Sequence, residues 1–135
     1  MKKPAEIVKE MFDKDHFSQW LGIEILKIEA GFCLLKIQTR EEMFNGHGII
    51  HGGISYSISD SALAFAANSH GIKAVSIETS IAHIAPIHLN DTLFVECKEV
   101  NCGKTIARYE SIVTNQNQKL VAKFSGKVYR SGEQW

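Results

Sequence analysis

Apolar and polar positions alternate with a period of two along most of the chain, which is typical of half-buried strands. From Gly22 to Arg40 this pattern is interrupted at Ala30-Gly31, which predicts a hairpin. Four further strands are predicted over residues 74–84, 92–100, 105–114 and 119–129, with turn residues at each break. We expect these four strands to pair as an antiparallel meander.

Two segments instead have apolar residues at helical spacing. Pro4 begins a short amphipathic helix that continues through Phe12, and residues 1–20 are predicted to form an N-terminal helical cover. Gly52 to about His70 forms one long helix, which Gly71 is suited to end. Because helices and strands do not alternate, the chain predicts an α+β layout with a helix packed on an antiparallel sheet.

The long helix is apolar on two opposite faces. Ile58 and Ala62 lie on one face, whereas Tyr56, Asp60 and Leu63 lie on the other. A helix that is apolar all round is usually buried all round. Since 135 residues make a single domain, 1–135, we expect the second covering surface to be another subunit. Asp60 is then expected at or near a subunit interface.

Composition excludes several classes of partner. Fifteen basic and fifteen acidic residues cancel, so no overall field attracts nucleic acid or an anionic membrane. Cys33, Cys97 and Cys102 are odd in number and lack C-x-x-C spacing, which argues against a disulfide framework or a zinc knuckle. No apolar run is long enough for a signal peptide or a membrane span. We therefore expect a cytoplasmic protein with no nucleic-acid or membrane partner.

A glycine-rich turn leads into the long helix. Gly52 and Gly53 at a helix start leave backbone N–H groups open to a ligand oxygen, with the positive end of the helix dipole behind them. Asp60 is the one acid on that helix, and its neighbours are small or apolar. Each of these residues also has an ordinary interpretation. The glycines could form a flexible loop, Asp60 could face solvent or pair with a lysine, and Asn45 could be a turn residue.

Histidines and serines near this turn invite other kinds of site. His47 and His51 would need a helix to bind a metal from one face, and the glycines around them argue against one. His83 and His88 have no cluster of acidic or cysteine residues nearby, so we expect no metal. The helix serines lack a G-x-S-x-G elbow and an assigned histidine partner, which argues against a serine nucleophile.

Taken together, the motifs resemble the hotdog-fold acyl-CoA thioesterases of the phenylacetate-degradation (PaaI) type, over about residues 21–132. The matching motifs are Asn45-Gly46, His51-Gly52-Gly53, Asp60 with Ala62, Ala64 and Asn68, Pro86, Asn90-Asp91-Thr92, Gly103-Lys104-Thr105 and Gly126-Lys127-Val128-Tyr129-Arg130. The resemblance implies a curved antiparallel sheet wrapped around one long central helix. It also implies that two subunits pair their sheets edge to edge and that dimers associate into tetramers.

The resemblance further implies how the residues act. The Gly52 N–H would bond the thioester oxygen and stabilise the developing oxyanion. Asp60, from the partner subunit, would act as general base on water or as nucleophile. Asn45 would position water or the carbonyl, and His51 would orient Asn45 and the loop. Ser76 matches a position where some relatives hold the water with a hydroxyl.

Coenzyme A enters as part of the substrate, and no separate cofactor is expected. The residues that the resemblance places along it are Gly53, Ser76, His83, Pro86, Asn101, Gly103, Lys104, Thr105 and Arg130. Lys104 and Arg130 would supply the local positive charge that the neutral total lacks. Phe44, Tyr56 and Leu63 are candidates for the acyl pocket, and a phenylacetyl-type or medium-chain acyl group follows from the resemblance alone.

Two other functions stay open on the sequence, a hotdog hydratase or dehydratase and a non-catalytic acyl-CoA-binding domain. A hydratase needs a histidine and an acid placed to move protons on carbon, whereas Asp60 is the only acid on the central helix. A non-catalytic domain that binds acyl-CoA as a sensor would usually carry a DNA-binding segment. This chain has no basic helix pair that could form one. Thioester hydrolysis is the favoured function.

Overall fold

The long helix forms where the sequence predicts it. In the computed structural model, which describes all residues from Met1 to Trp135, helix α3 covers Gly52–Asn68. The helix ends two residues earlier than predicted, because Gly71 takes a left-handed backbone conformation with φ +92° and its N–H bonds the Asn68 carbonyl.

The remaining elements are two short helices, one helical turn and six strands. In chain order they are α1 (Pro4–Lys14), α2 (His16–Leu21), β1 (Glu24–Glu29), β2 (Phe32–Gln38), a 3-10 turn (Glu41–Met43), then after α3 the strands β3 (Ile72–His83), β4 (Thr92–Cys102), β5 (Ile106–Thr114) and β6 (Leu120–Gln134). All six strands form one antiparallel sheet in the order β1-β2-β4-β5-β6-β3. The predicted hairpin is β1–β2, with its turn at Ala30-Gly31.

The predicted meander of the last four strands is wrong in one respect. β4, β5 and β6 do form a meander, but β3 pairs with β6 at the far edge of the sheet. The segment 84–91 carries the chain across the end of the sheet and is held there by backbone hydrogen bonds, including Ile50 N–H to Ile87 O at 2.9 Å and Thr39 N–H to Asp91 O at 3.0 Å. Alternation identifies a strand without naming its neighbour, so this crossover could not be read from the pattern.

The core lies between α3 and the concave face of the sheet. Ile58, Ala62 and Phe65 of the helix are fully buried there. Leu63 packs so closely on β6 that a Cβ added at Gly126 would lie 2.5 Å from its Cδ2 atom. Glycine at this point therefore allows the sheet to come close to the helix. Asp60 is the only residue of α3 that is exposed to solvent in the single chain.

The N-terminal cover consists of two helices rather than one. In α1, Pro4 stands in the first turn, and Ile7 and Val8 are buried. The second helix begins where the Asp15 carboxylate accepts a hydrogen bond from Ser18 N–H at 3.0 Å. No helix of the structure is both long enough and apolar enough to cross a lipid bilayer.

Candidate active site

The loop before α3 is a folded turn held by its own hydrogen bonds. The Asn45 Oδ1 atom accepts from His47 N–H at 2.8 Å and from Ile49 N–H at 3.2 Å. Backbone bonds add Asn45 N–H to Ile49 O and His51 N–H to Met43 O, both at 2.8 Å. Asn45 is thus a turn residue, and its side-chain amide nitrogen makes no hydrogen bond within the chain.

The first N–H of α3 is free. Gly53 N–H donates to His51 Nδ1 at 2.8 Å, so the histidine caps the helix. Gly52 N–H, at the first helical position, has no intrahelical acceptor and finds no other one in the chain. Of the two glycines, only Gly52 therefore offers a donor to a ligand, at the positive end of the helix dipole. His51 makes no hydrogen bond to Asn45.

Gly52 opens onto a cavity of about 320 Å³. Asn45, His83 and Pro86 line the same cavity, so the structure brings together four of the predicted site residues. The His83 ring lies against the glycine, because a Cβ added at Gly52 would be 3.0 Å from the ring atoms Cε1 and Nε2. The Ser55 hydroxyl lies 3.5 Å from His83 Nδ1 on the other side of that ring.

Asp60 carries an unpaired carboxylate. The side chain forms no ion pair and no hydrogen bond within the chain, so the alternative of a lysine partner does not hold. Although the residue is exposed in the single chain, burial by the surrounding helix and strands raises the pKa of its carboxyl above the ordinary value. A carboxylate with a raised pKa and no partner is a stronger proton acceptor than an ordinary aspartate.

The Asp60 carboxylate borders a second, larger cavity of about 590 Å³. This cavity lies between α3 and the strands β3 and β6, and Ser76 of β3 and Leu63 of α3 line it together with Asp60. Asp60 and Ser76 therefore border the same cavity. Of the acyl-pocket candidates, Leu63 is the one that lines this cavity.

The two other acyl-pocket candidates lie elsewhere. Phe44 borders a shallow pocket beside His51 and Gly53. Tyr56 packs edge-on against Phe124, with ring centroids 5.7 Å apart, and its hydroxyl contacts that of Thr79. Neither side chain lines the cavity that holds Asp60.

The Asp60 cavity is also lined by two residues that the sequence did not single out for this role, Met11 and Trp135. Trp135 Nε1–H donates to Asn68 Oδ1 at 2.8 Å, and Ala74 N–H donates to the same oxygen at 2.9 Å. Asn68 Nδ2 in turn donates to the carbonyls of Ala64 and Ala74. Trp135 follows the last strand with no local motif, so no signal in the sequence connects it to Asp60.

Apart from Gly53, which bonds His51, and Ser76, which lines the Asp60 cavity, the predicted coenzyme A residues fall into two groups. His83 and Pro86 lie beside Gly52. Gly103, Thr105 and Arg130 form the other group, since Arg130 Nη1 donates to Gly103 O at 2.8 Å and Arg130 N–H to Thr105 O at 2.7 Å. Asn101, near the end of β4, and Lys104, in the β4–β5 connection, are both exposed.

A long distance separates these two groups within one chain. On β6, Arg130 is the register partner of Ala74, whereas the partner of His83 is Ala122. Ala74 and His83 are nine residues apart on β3, which corresponds to roughly 30 Å along a strand. Gly52 and Asp60 are themselves roughly 12 Å apart along α3. One chain alone therefore does not assemble the predicted site.

Metal-ligating side chains meet at one place, away from the glycine turn. The ligand atoms of His70, Glu99 and Cys102 lie within 4.8 Å of one another. His70 Nε2 and Glu99 Oε2 contact each other directly, and the Tyr109 hydroxyl donates to Glu99 at 3.5 Å. The imidazole and carboxylate thus already satisfy one another, and they tie the end of α3 to β4.

A long central helix wrapped by an antiparallel sheet, with a free N–H at the helix start and an unpaired acid two turns along it, defines a hotdog-fold enzyme. The chain belongs to the thioesterase superfamily, whose family model matches residues 47–122. This membership confirms the hotdog fold, the thioesterase class and the resemblance to the PaaI type that the sequence motifs indicated.

Individual relatives agree with this assignment. The acyl-coenzyme A thioesterase PaaI of Escherichia coli is 36% identical over 122 residues, which is 90% of this chain and 87% of that protein. The solved structure of the E. coli PaaI protein from the phenylacetic acid degradation operon has a TM-score of 0.94 and covers 97% of this chain and 95% of that one. A Streptococcus mutans structure bound to acetyl-CoA has a TM-score of 0.81 at 26% identity, covering 84% and 91%.

Proposed function

We propose that this protein hydrolyses acyl-CoA thioesters to a free acid and coenzyme A, at a site that combines Gly52 of one subunit with Asp60 of another. The observation that carries the proposal is the free Gly52 N–H at the start of α3 in a chain that also leaves Asp60 unpaired. The E. coli relative is itself named an acyl-CoA thioesterase, and the S. mutans structure contains acetyl-CoA.

In this mechanism the thioester carbonyl oxygen accepts a hydrogen bond from Gly52 N–H. Negative charge grows on that oxygen as the carbonyl carbon becomes tetrahedral, so the bond and the helix dipole stabilise the transition state more than the substrate. The free amide nitrogen of Asn45, on the turn that borders the same cavity, supplies a further donor for the carbonyl or for water.

Asp60 supplies the base or the nucleophile. As a base, its carboxylate removes a proton from water while the water oxygen attacks the carbonyl carbon, and the C–S bond then breaks to release the coenzyme A thiolate. As a nucleophile, the carboxylate attacks the same carbon, the C–S bond breaks to release the coenzyme A thiolate, and water then cleaves the resulting anhydride. In both routes the Ser76 hydroxyl, in the cavity of Asp60, can hold the water.

The free edge of β3 provides the surface on which two subunits can pair. β3 is the longer of the two edge strands, and Val75 and Ile77 are 64% and 53% exposed on it. An exposed apolar edge strand of this length is a template for pairing with a second copy. A two-fold axis at this edge gives a self-complementary interface, and the resemblance extends the proposal to a dimer of such dimers.

Pairing at β3 also joins the two groups of coenzyme A residues. A two-fold axis near the middle of β3 places the His83 end of one strand opposite the Ala74 end of its partner, because the paired strands run antiparallel. The Lys104 and Arg130 side chains of one subunit then lie on the same side as Gly52 of the other. Their positive charges are suited to coenzyme A phosphates.

The deciding experiment measures free-thiol release from a panel of aryl- and medium-chain acyl-CoAs. We expect turnover by the wild type and a loss of at least about 10²-fold in kcat for Asp60→Asn, since the amide is neither a base nor a nucleophile. Asp13→Asn is the matched control, because the Asp13 carboxylate is exposed on α1 and pairs only with Lys9. This control is expected to keep wild-type activity.

Two results would contradict the proposed reaction. Binding of acyl-CoA without thiol release by the wild type would favour the non-catalytic alternative. Consumption of an enoyl-CoA without thiol release would favour the hydratase. Wild-type turnover by Asp60→Asn would remove Asp60 from the mechanism while leaving the reaction itself established.

A further inference from the structure

We propose that Trp135 forms the end wall of the acyl pocket and sets the longest acyl group that the enzyme accepts. The inference rests on the proposed function, because it takes the cavity beside Asp60 as the place where the acyl group lies. Trp135 then limits the length of the acyl group that this cavity can hold.

The cavity runs along one face of α3. Asp60, Ala64 and Asn68 follow one another at intervals of four residues, which places their side chains in a row on the same side of a helix. The row spans roughly 12 Å at 1.5 Å per residue. Asp60 stands at the end where the thioester reacts, and Asn68 stands at the other end, so an acyl chain that enters past Asp60 extends toward Asn68.

Trp135 is held beside Asn68 by one hydrogen bond from its indole and one from its backbone. Its Nε1–H donates to Asn68 Oδ1 at 2.8 Å, and its backbone N–H donates to Gly71 O at 3.1 Å. The Lys73 ammonium also lies 5.6 Å from the centroid of the ring, within the range of a cation–π contact. These contacts fix the position of the Trp135 ring at the end of the cavity.

The chemistry of the lining matches an acyl group and not a phosphate. Leu63, Ala64, Ala74 and Val128 present aliphatic surface to the cavity. Lys73, the one cation that borders it, is paired with Glu133 at 2.7 Å. No free positive charge thus remains there for the phosphates of coenzyme A, whereas alkyl or aryl carbon is well accommodated.

Chain-length profiles of two variants test the proposal. We expect Trp135→Ala to raise kcat/KM for long-chain acyl-CoAs, relative to a medium-chain one, by about tenfold or more, because removing the ring lengthens the pocket by several methylene groups. Trp135→Phe keeps an aromatic wall and should keep the wild-type profile. Trp20→Ala is the matched control, since Trp20 is 45% exposed on α2 and does not line the cavity.

Tryptophan fluorescence gives a second readout that does not depend on the Ala variant folding. The chain has two tryptophans, so Trp20→Phe leaves Trp135 as the only one. In the Trp20→Phe, Asp60→Asn protein we expect the emission of Trp135 to shift when octanoyl-CoA binds. Acetyl-CoA and free coenzyme A should bind without that shift, because neither reaches the end wall.

The outcomes separate this proposal from the proposed function. An unchanged chain-length profile in Trp135→Ala, or the same emission shift with coenzyme A alone as with octanoyl-CoA, would overturn the role of Trp135 while thioesterase activity stood. Absence of thiol release by the wild type from every acyl-CoA would instead overturn the proposed function. An emission shift specific to octanoyl-CoA would support the acyl pocket even then.

Discussion

Asp60 is placed where its charge costs stability. Its carboxyl has a pKa raised by burial and no partner that favours the ionised form. A residue that lowers stability and yet interrupts an otherwise buried helix is typical of a functional position. The raised pKa also makes the contribution of Asp60 to folding stability depend on pH, which can be measured without an activity assay.

We predict that Asp60→Asn is more stable than the wild type at neutral pH. Because the folded-state pKa is raised, the destabilising effect of the charge is absent below the ordinary pKa of Asp, develops as pH rises through the folded-state pKa, and is complete above it. The gain in Tm of Asp60→Asn should therefore be present at about pH 7 and vanish toward about pH 3.5. Thermal melts across this range measure it.

Asp13→Asn is again the control, because Asp13 is exposed and pairs with Lys9. Its Tm difference from the wild type should show no such gain at neutral pH. An Asp60→Asn protein that is less stable than the wild type at pH 7 would show that the carboxylate has a stabilising partner, and would place Asp60 in a structural role.

The residues of the site were predictable to different degrees. Gly52 and Asp60 could be singled out because a glycine pair at a helix start and a lone acid on an apolar helix are both local patterns. The partner of His51 could not, since its Nδ1 accepts from Gly53 N–H and the ring makes no hydrogen bond to Asn45. Side-chain rotamers depend on neighbours distant in sequence, and spacing does not encode them.

Among the elements, the start of α3 offers the most direct test of the proposed chemistry, because it supplies the oxyanion donor. We predict that Gly52→Pro lowers kcat by about 10²- to 10³-fold, the cost of losing one oxyanion donor. Proline has no N–H, yet it suits the first position of a helix. His51 before it already has ψ 136°, which the residue preceding a proline favours.

Gly52→Ala is the matched variant, because it adds a Cβ near the His83 ring, as proline does, and keeps the N–H. We expect it to retain most of the activity, with a loss below about tenfold as the ring moves. Both variants are compared by steady-state kinetics and by thermal melts. Equal activities of the Ala and Pro variants would show that the Gly52 N–H does not contact the reacting carbonyl.

Element positions were better predicted than element pairing. The start of β4 and the start of α3 follow from alternation and from glycine, which act over a few residues. The place of β3 beside β6 depends on the eight-residue crossover at 84–91 and on contacts distant in sequence. The start of α2 depends on the Asp15 cap, which lies too close to α1 for periodicity to separate the two helices.

For the whole molecule, a shared site makes a prediction about mixtures of inactive proteins. Gly52→Pro and Asp60→Asn damage different halves of the site. In a dimer that contains one subunit of each, one site carries both lesions and the other carries neither. Random mixing should restore about a quarter of the wild-type sites, measured by thiol release after co-expression or refolding together.

Light scattering supplies the control, since the wild type should have at least the mass of a dimer at micromolar concentration. Mixing each variant with more of itself should restore no activity. A mixture that stays inactive although mixed dimers form would place Gly52 and Asp60 in a single-chain site, and a monomeric wild type would exclude the shared site altogether.

Asn68 makes four hydrogen bonds, two through each atom of its amide group, and so uses its full bonding capacity. An amide with no spare donor or acceptor, buried at the junction of α3, β3 and Trp135, has no alternative arrangement of comparable energy. Asn68 therefore holds the Trp135 indole in one orientation at the far boundary of the proposed acyl cavity. In the acyl pocket proposed above, oversized substrates would be refused by steric exclusion in the ground state, so selectivity would require no conformational closure and would leave the rate for accepted substrates undiminished.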